Sequence, residues 1–451
     1  MAAIIFANCA VLDGTRRERR EDHHVLVEGD RIRGVSDRPL KTAVAETIDL
    51  SGRTLMPGLI DAHVHVLAVD AALARLSDRP VTLLTLQAAK VMEGMLQRGF
   101  TAIRDAGGAD GGLAEAVEEG LVRGPRIFPS GSALSQTGGH GDTRPRTKSV
   151  VTCACCEGGA ALSRIADGVT ECRRAARDEL RKGATQIKIL ASGGVASPYD
   201  PIWNLQYSEE EVRAIVEEAQ AWHTYVLAHA YSPEAIRRSI DFGVRSIEHG
   251  NLIDRATAEH VAGAEAFVVP TLVTYDALHR HGRDFGFPEV SMAKLAEVRE
   301  AGLGSLEILQ KAGVKIGYGT DHLFYLRQSR SIDLRYGRVR TVSDLCVDFN
   351  RCADVCSGIT KVKPDFHSSK GISCIGVHFS YIGKYERIKL HGHASPSLFD
   401  ATPLQLPPKK FVARSLMQPY NKLNANYSPG LGLSSPADLA NQPFCRAPRP
   451  S

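Results

Sequence analysis

From Leu55 to Asp321 the chain repeats one pattern: a short apolar run, a turn, and a segment with helical apolar spacing. The runs are GLIDAHVHV, FTAIRDAGG, RIFPSG, TQIKILASGG, TYVLAHAY, VRSIEHGN, AFVVPTLV and VKIGYGTD. Segments between them, such as SEEEVRAIVEEAQAW and SPEAIRRSIDFG, place apolar residues at helical intervals and charges elsewhere, so each buries one face. Eight alternations over roughly 250 residues predict an α/β fold of the (β/α)8 barrel type. A doubly wound open sheet is the main rival, but no glycine-rich phosphate loop follows the first run. Residues 1–55 read differently. IIFANCAVLDG, HHVLVEGDRIRGV and ETIDLSGRTLMPG alternate like strands around Gly and Asp turns, with EGDRI as a hairpin signal, and predict a small β-layer ahead of the barrel.

Composition narrows the function classes. A chain of 451 residues that is 43% hydrophobic and 24% charged can bury a large core. No apolar run is long enough to span a bilayer, and the N-terminus lacks the basic and long apolar regions of a signal peptide, so neither membrane nor secretion is expected. Ten cysteines without a regular framework suit a reducing, cytoplasmic setting, and CACC at 153–156 matches no zinc template and reads as free thiols in a loop. The net charge of +4 averages two unlike segments: residues 324–451 hold 18 Lys+Arg and 8 Asp+Glu, leaving 37 and 43 for residues 1–323. The body is therefore acidic, at −6, and the tail basic, at +10. No nucleic-acid partner is expected on the body.

Polar residues stand where the strands end. Alternation puts Asp61, His63 and His65 on one face of the first strand and Ala62, Val64 and Val66 on the other, which faces the helices. An HxH pair alone reads more simply as a buried hydrogen-bonded pair. His229 closing the fifth strand, His249 the sixth and Asp321 the eighth change that reading, because all lie at the C-terminal rim where barrel enzymes place their chemistry. Each imidazole buried for packing alone would need its own partner, whereas imidazoles with a carboxylate suit a zinc-type ion. Lys188, between Ile187 and Ile189 on the fourth strand, is costly inside unless it snorkels or meets a counter-charge. Alternatively its neutral amine takes up carbon dioxide, and the resulting carbamate bridges two metal ions.

This set resembles the binuclear amidohydrolase superfamily. SQTGGHGD (135–142), KILASGGVASPYDP (188–201), QYSEEE (206–211), AHAYSPEAI (228–236), SIEHGNLID (246–254) and FVVPTLVTYDAL (267–278) are similar to its imidazolonepropionase-like branch, and most to the Xaa-Pro and Xaa-Arg/Lys dipeptidases, a group related to the ochratoxin-hydrolysing amidases. The resemblance implies two divalent cations, zinc by preference. His63 and His65 would hold the buried ion, His229 and His249 the more exposed one, and carboxylated Lys188 would bridge them. Asp321 would ligate the buried ion and act as general base, while His140 and Tyr231 would touch the substrate. The implied reaction is hydrolysis of the amide bond of a dipeptide or N-acyl amino acid by hydroxide shared between the ions. A homo-oligomer is a family-level expectation. A cyclic-amide hydrolase or deaminase is the enzymatic alternative, and an inactive homologue the other.

The resemblance ends near residue 323, which divides the chain into a β-layer (1–55, half of a composite β-sandwich), a barrel (56–323) and a tail (324–451). The tail has one glutamate, Glu386, and eleven of the 22 prolines, and it lacks the family's closing helix and glycine-punctuated strand pair. Its Pro-rich end reads as disordered sequence. A coding disruption near Leu323, such as a frameshift, is the favoured explanation; a novel domain is the other.

Overall fold

The computed structural model describes residues 3–14, 18–70, 73–147, 162–197, 199–284 and 286–321. The predicted tail and the CACC stretch lie outside these residues. The N-terminal layer is a five-stranded sheet of β1 (Ala3–Val11), β2 (Arg20–Glu28), β3 (Arg31–Ser36), β4 (Ala45–Asp49) and β5 (Thr54–Leu55), in the order β3-β2-β1-β4 with β5 also on β1. Glu28 pairs with Arg31 across Gly29 and Asp30, so EGDRI is the hairpin turn its residues predict. Leu12 and Met56 pack with Leu59 and Tyr318, which ties this layer to the barrel.

The barrel strands are β6 (Leu59–Val64), β7 (Phe100–Asp105), β8 (Arg126–Phe128) with β9 (Ala133–Ser135), β11 (Ile187–Leu190), β12 (Val226–Ala230), β13 (Ser246–His249), β14 (Phe267–Val269) and β15 (Lys315–Ile316); β10 (Ser163–Ile165) pairs outside β9. All these ladders are parallel. The third strand is split: β8 pairs with β7, and β9 pairs with β11. Pro129, with no N–H to donate, and Gly131, at φ 67°, form the bend between them.

Between strands run α1 (Val81–Gln97), α2 (Gly111–Glu118), α3 (Gly168–Arg181), α4 (Glu209–Ala221), α5 (Pro233–Asp241), α6 (Arg255–Gly263), α7 (Leu272–His281) and α8 (Glu289–Lys311). Their starts are written in the sequence. Ser208 and Glu211 form a reciprocal capping box on α4, Ser232 caps α5 ahead of Pro233, and Asp110 and Asp254 cap α2 and α6. The main core fills the space between strands and helices, joining Ile187, Ile189, Ala228 and Ile247 to Ala176, Ile215, Ile236 and Val261. The run AFVVPTLV is shorter as a strand than it reads, since Leu272 and Val273 already belong to α7.

One expectation is corrected at β6. The ladder with β7 shifts register between Asp61 and Val64. Val64 and Val66 pack on α1 residues Leu84, Ala88 and Met92, as predicted, but Ala62 joins Ile60, Ala102, Phe267 and Val269 in a separate apolar cluster that reaches across β15 to β14. A bulge of this kind breaks period-two alternation. It also frees Asp61 to close the barrel: its carboxylate accepts from Thr320 N at 3.0 Å, Thr320 Oγ1 at 2.6 Å and His63 N at 3.2 Å. Backbone bonds from Ala62 N to Tyr318 O and from Asp321 N to His63 O, both 2.8 Å, complete the join between first and eighth strands. None of the helices among the described residues is long and apolar enough to cross a membrane.

Asp61→Ala strands three buried donors at this seam. A buried donor left without its acceptor costs about 1–3 kcal/mol, so over three donors a loss of about 3 kcal/mol is the expected floor, read as a lower urea midpoint against the unchanged protein.

Candidate metal centre

The rim of the barrel brings the predicted residues into one cluster. The His63 ring centroid lies 5.3 Å from that of His65 and 4.9 Å from that of His249, and His249 lies 4.5 Å from His229. Asp321 Oδ1 is 3.6 Å from His65 Nε2 and 3.8 Å from His63 Nε2. One donor atom each from His63, His249 and Asp321 fall within 4.8 Å of one another. This convergence places His249 beside His63 and Asp321 as well as beside His229. Lys188, 2% exposed, is near enough for its charge to act on His63, His229 and His249.

Each imidazole is oriented by what its other nitrogen meets. His63 Nδ1 is 2.6 Å from Glu248 Oε2, and His65 Nδ1 is 2.8 Å from the Gly107 carbonyl. Carboxylate and carbonyl can only accept, so both rings donate through Nδ1 and turn the Nε2 lone pair inward. His229 has the opposite polarity, its Nε2 facing the Gly193 carbonyl at 3.3 Å. His249 Nδ1 meets Thr271 Oγ1 at 2.7 Å. Consecutive Glu248 and His249 both face this cluster because His249 takes a left-handed backbone, φ 75°, at the strand end; Asp321 does so too, at φ 46°.

Burial, aided by neighbouring positive groups that include Lys188, holds His63, His229 and His249 well below the usual imidazole range. They stay neutral, the form that ligates metal. Burial also pulls the Lys188 ammonium down to about 8, against the opposing pull of Glu248 and Asp321. Among these groups His63 Nε2 is buried with no hydrogen-bond partner. An orphaned lone pair beside a carboxylate and further neutral imidazoles is what a divalent cation fits.

Two residues essential to this geometry escape the sequence reading. Arg104, fully buried on β7, donates through Nη2 to Glu248 Oε1 at 2.7 Å and Oε2 at 2.8 Å, and through Nε to the Ala62 carbonyl at 2.6 Å. Its Nη1 reaches Ser246 Oγ at 3.1 Å, and Ser246 in turn donates to Glu248. The guanidinium fixes Glu248, and Glu248 fixes His63. The signal was present: a charged residue in an apolar strand singled out Lys188, and the same test applies to Arg104 in FTAIRDAGG and to Glu248 in VRSIEHGN.

His140 and Tyr231 border the cluster. The His140 ring stacks on His229 at 4.4 Å, and its Nδ1 is 2.7 Å from Ser197 Oγ and 3.5 Å from Asp200 Oδ2. A Cβ on Gly194 would fall 2.1 Å from the His140 ring, so only glycine admits this approach. Lys294 of α8 donates to the carbonyls of Gly194, Ser197 and Asp200 and pins that loop. Tyr231 lies 4.8 Å from His229 and 5.3 Å from His249, ring to ring.

Glu248→Gln removes the counter-charge of a buried guanidinium. Breaking such a pair costs about 3–5 kcal/mol, and loss of a group that orients a metal-binding imidazole typically weakens metal about 10–100-fold. Urea unfolding and chelator competition for zinc should both register the change.

The chain matches the amidohydrolase family over residues 54–349, well over half its length. An ochratoxinase from Aspergillus niger is 35% identical over 277 residues, 59% of this chain and 58% of the relative, so the chain spans little more than half of that relative's length. Among solved structures, a prolidase complexed with N-methylphosphonate-L-proline is 51% identical, with 78% of this chain and 87% of that chain covered and a TM-score of 0.75. A Xaa-Pro dipeptidase with bound methionine is 25% identical, covering 77% and 89%, with a TM-score of 0.64. With that span matched and the barrel in place, this chain belongs to the amidohydrolase family.

Proposed function

We propose that this protein hydrolyses the C–N bond of dipeptides or N-acyl amino acids at a binuclear metal centre held by His63, His65, His229, His249, Asp321 and a carboxylated Lys188. The observation that carries the reading is the convergence of His63, His249 and Asp321 donors around the orphaned His63 Nε2. The likeness to a prolidase and a Xaa-Pro dipeptidase supports the substrate class. Lys188 suits carboxylation because burial lowers its pKa to about 8, which leaves more neutral amine to react, and a carbamate there would replace a buried cation by an anion.

Two divalent cations, zinc by preference, would supply Lewis acidity and acidify a shared water. The chain's own groups do the rest. Asp321 takes the proton of the attacking water on its carboxylate and returns it to the departing amine nitrogen. Fixed imidazoles keep the donors in place without reorganisation, and Tyr231 offers its hydroxyl to the oxygen on which negative charge develops. His140 lies beside His229, where it can contact the same substrate. The substrate is read as a small molecule, with neither nucleic acid nor membrane as partner. A homo-oligomer in a reducing cytoplasm completes the proposal, in keeping with Cys9 and Cys172, which are free and buried.

Purified, zinc-supplemented protein assayed on a dipeptide library, with metal counted by elemental analysis, tests this reading. Hydrolysis of a subset with about two ions per chain is expected. Asp321→Asn should keep bound metal and lose roughly 100- to 10,000-fold in kcat. Absence of metal, or an Asn variant with full turnover, would defeat it.

A further inference from the structure

Thr271 and Tyr275 lie behind the site and have no part in the scheme above, yet both are buried and hydrogen-bonded in series. His249 Nδ1 is 2.7 Å from Thr271 Oγ1; Thr271 Oγ1 is 3.3 Å from Tyr275 Oη; Tyr275 Oη is 3.0 Å from Tyr231 Oη. Thr271 is fully buried and the other three residues nearly so. The four groups link a proposed metal ligand to the proposed substrate-binding hydroxyl without a break.

The direction of the chain follows from its first member. If His249 gives its Nε2 lone pair to the metal, Nδ1 must carry the proton and donate to Thr271. Thr271 Oγ1 accepts that bond and donates its own proton to Tyr275. Tyr275 then donates to Tyr231, whose oxygen is thereby an acceptor on the protein side. The Tyr231 proton has one direction left, outward over His229 and His249. Hydrogen bonds in series polarise one another in a medium of low dielectric, so the last donor in such a row is a stronger donor than an isolated phenol.

We propose that Thr271 and Tyr275 are positioning residues that aim the Tyr231 hydroxyl proton at an oxygen of the substrate carrying full or developing negative charge. The proposal rests on the reading of Tyr231 and His249 given above. It adds that metal ligation and substrate binding share one directed hydrogen-bond row. Both residues lie at the start of α7, in PTLVTY, where one helical turn sets the Thr271 and Tyr275 side chains on the same face. No proton changes owner at any member; the row fixes orientation only.

The test is a double-mutant cycle on zinc-loaded protein, with a phosphonate dipeptide analogue as the binding probe in calorimetry and a hydrolysed dipeptide for kinetics. Tyr275→Phe is expected to weaken phosphonate binding and lower kcat/KM by about tenfold each, the size of one lost hydrogen bond. In a Tyr231→Phe background the same change should have almost no further effect, because no proton is left to aim. Thr271→Val should resemble Tyr275→Phe and also weaken zinc in chelator competition, while Thr271→Ser, which keeps the hydroxyl, should restore both. Multiplicative effects of Tyr231→Phe and Tyr275→Phe, or a phosphonate affinity that Tyr275→Phe leaves unchanged, overturn the relay. Coupled phosphonate binding in a protein that hydrolyses no amide would instead uphold the relay and overturn the hydrolase reading.

Discussion

The contact between Arg104 and Glu248 is the one on which the rest of the interior depends. Two opposite charges with no exposure to water are held within 2.8 Å, and each costs several kcal/mol to desolvate. The cost is met by saturation: the guanidinium also serves the Ala62 carbonyl and Ser246, and the carboxylate also receives Ser246 and His63. Take away the guanidinium and Glu248 loses the donor that holds both its oxygens; take away Glu248 and His63 loses the partner that sets its tautomer. Ile60, Ala62, Ala102, Phe267 and Val269 form an apolar cluster of their own, contributed by β6, β7 and β14.

The charges around it explain why Lys188 can be where it is. Its ammonium is opposed by Glu248 and Asp321 but repelled by Arg104, and burial outweighs them in lowering its pKa. A lysine this close to neutrality is chemically unlike one on the surface: its lone pair is available to electrophiles at ordinary pH. The same burial holds His63, His229 and His249 below the usual imidazole range.

Much of the candidate site was legible because a barrel gathers at its rim the polar residues that close its strands, and strand ends are visible as apolar runs. His63, His65, His229, His249 and Asp321 were found that way, and their common location follows from barrel topology. What stayed hidden has a physical reason in each case. The bulge between Asp61 and Val64 depends on pairing with β7, which one strand's own alternation does not encode. Arg104 and Glu248 lie on strands distant in sequence, and neither reads as paired until both are placed. Thr271 was read within a strand-like run, because AFVVPTLV is apolar but for that residue and its proline, and Tyr275 lies just beyond it; the switch to helix at Leu272 divides the run. The small N-terminal layer and its hairpin were readable because turn residues act locally.

The left-handed backbone at His249 has a consequence for how stability and function are divided. A non-glycine residue in that region costs of order 1–3 kcal/mol, and here the distortion lets adjacent residues of one strand face the same cavity. The folded chain bears this cost, so it counts against the folding equilibrium. The protein is less stable than its packing alone would make it. Resistance to heat and the placing of two adjacent side chains are thus set against one another at a single pair of dihedral angles.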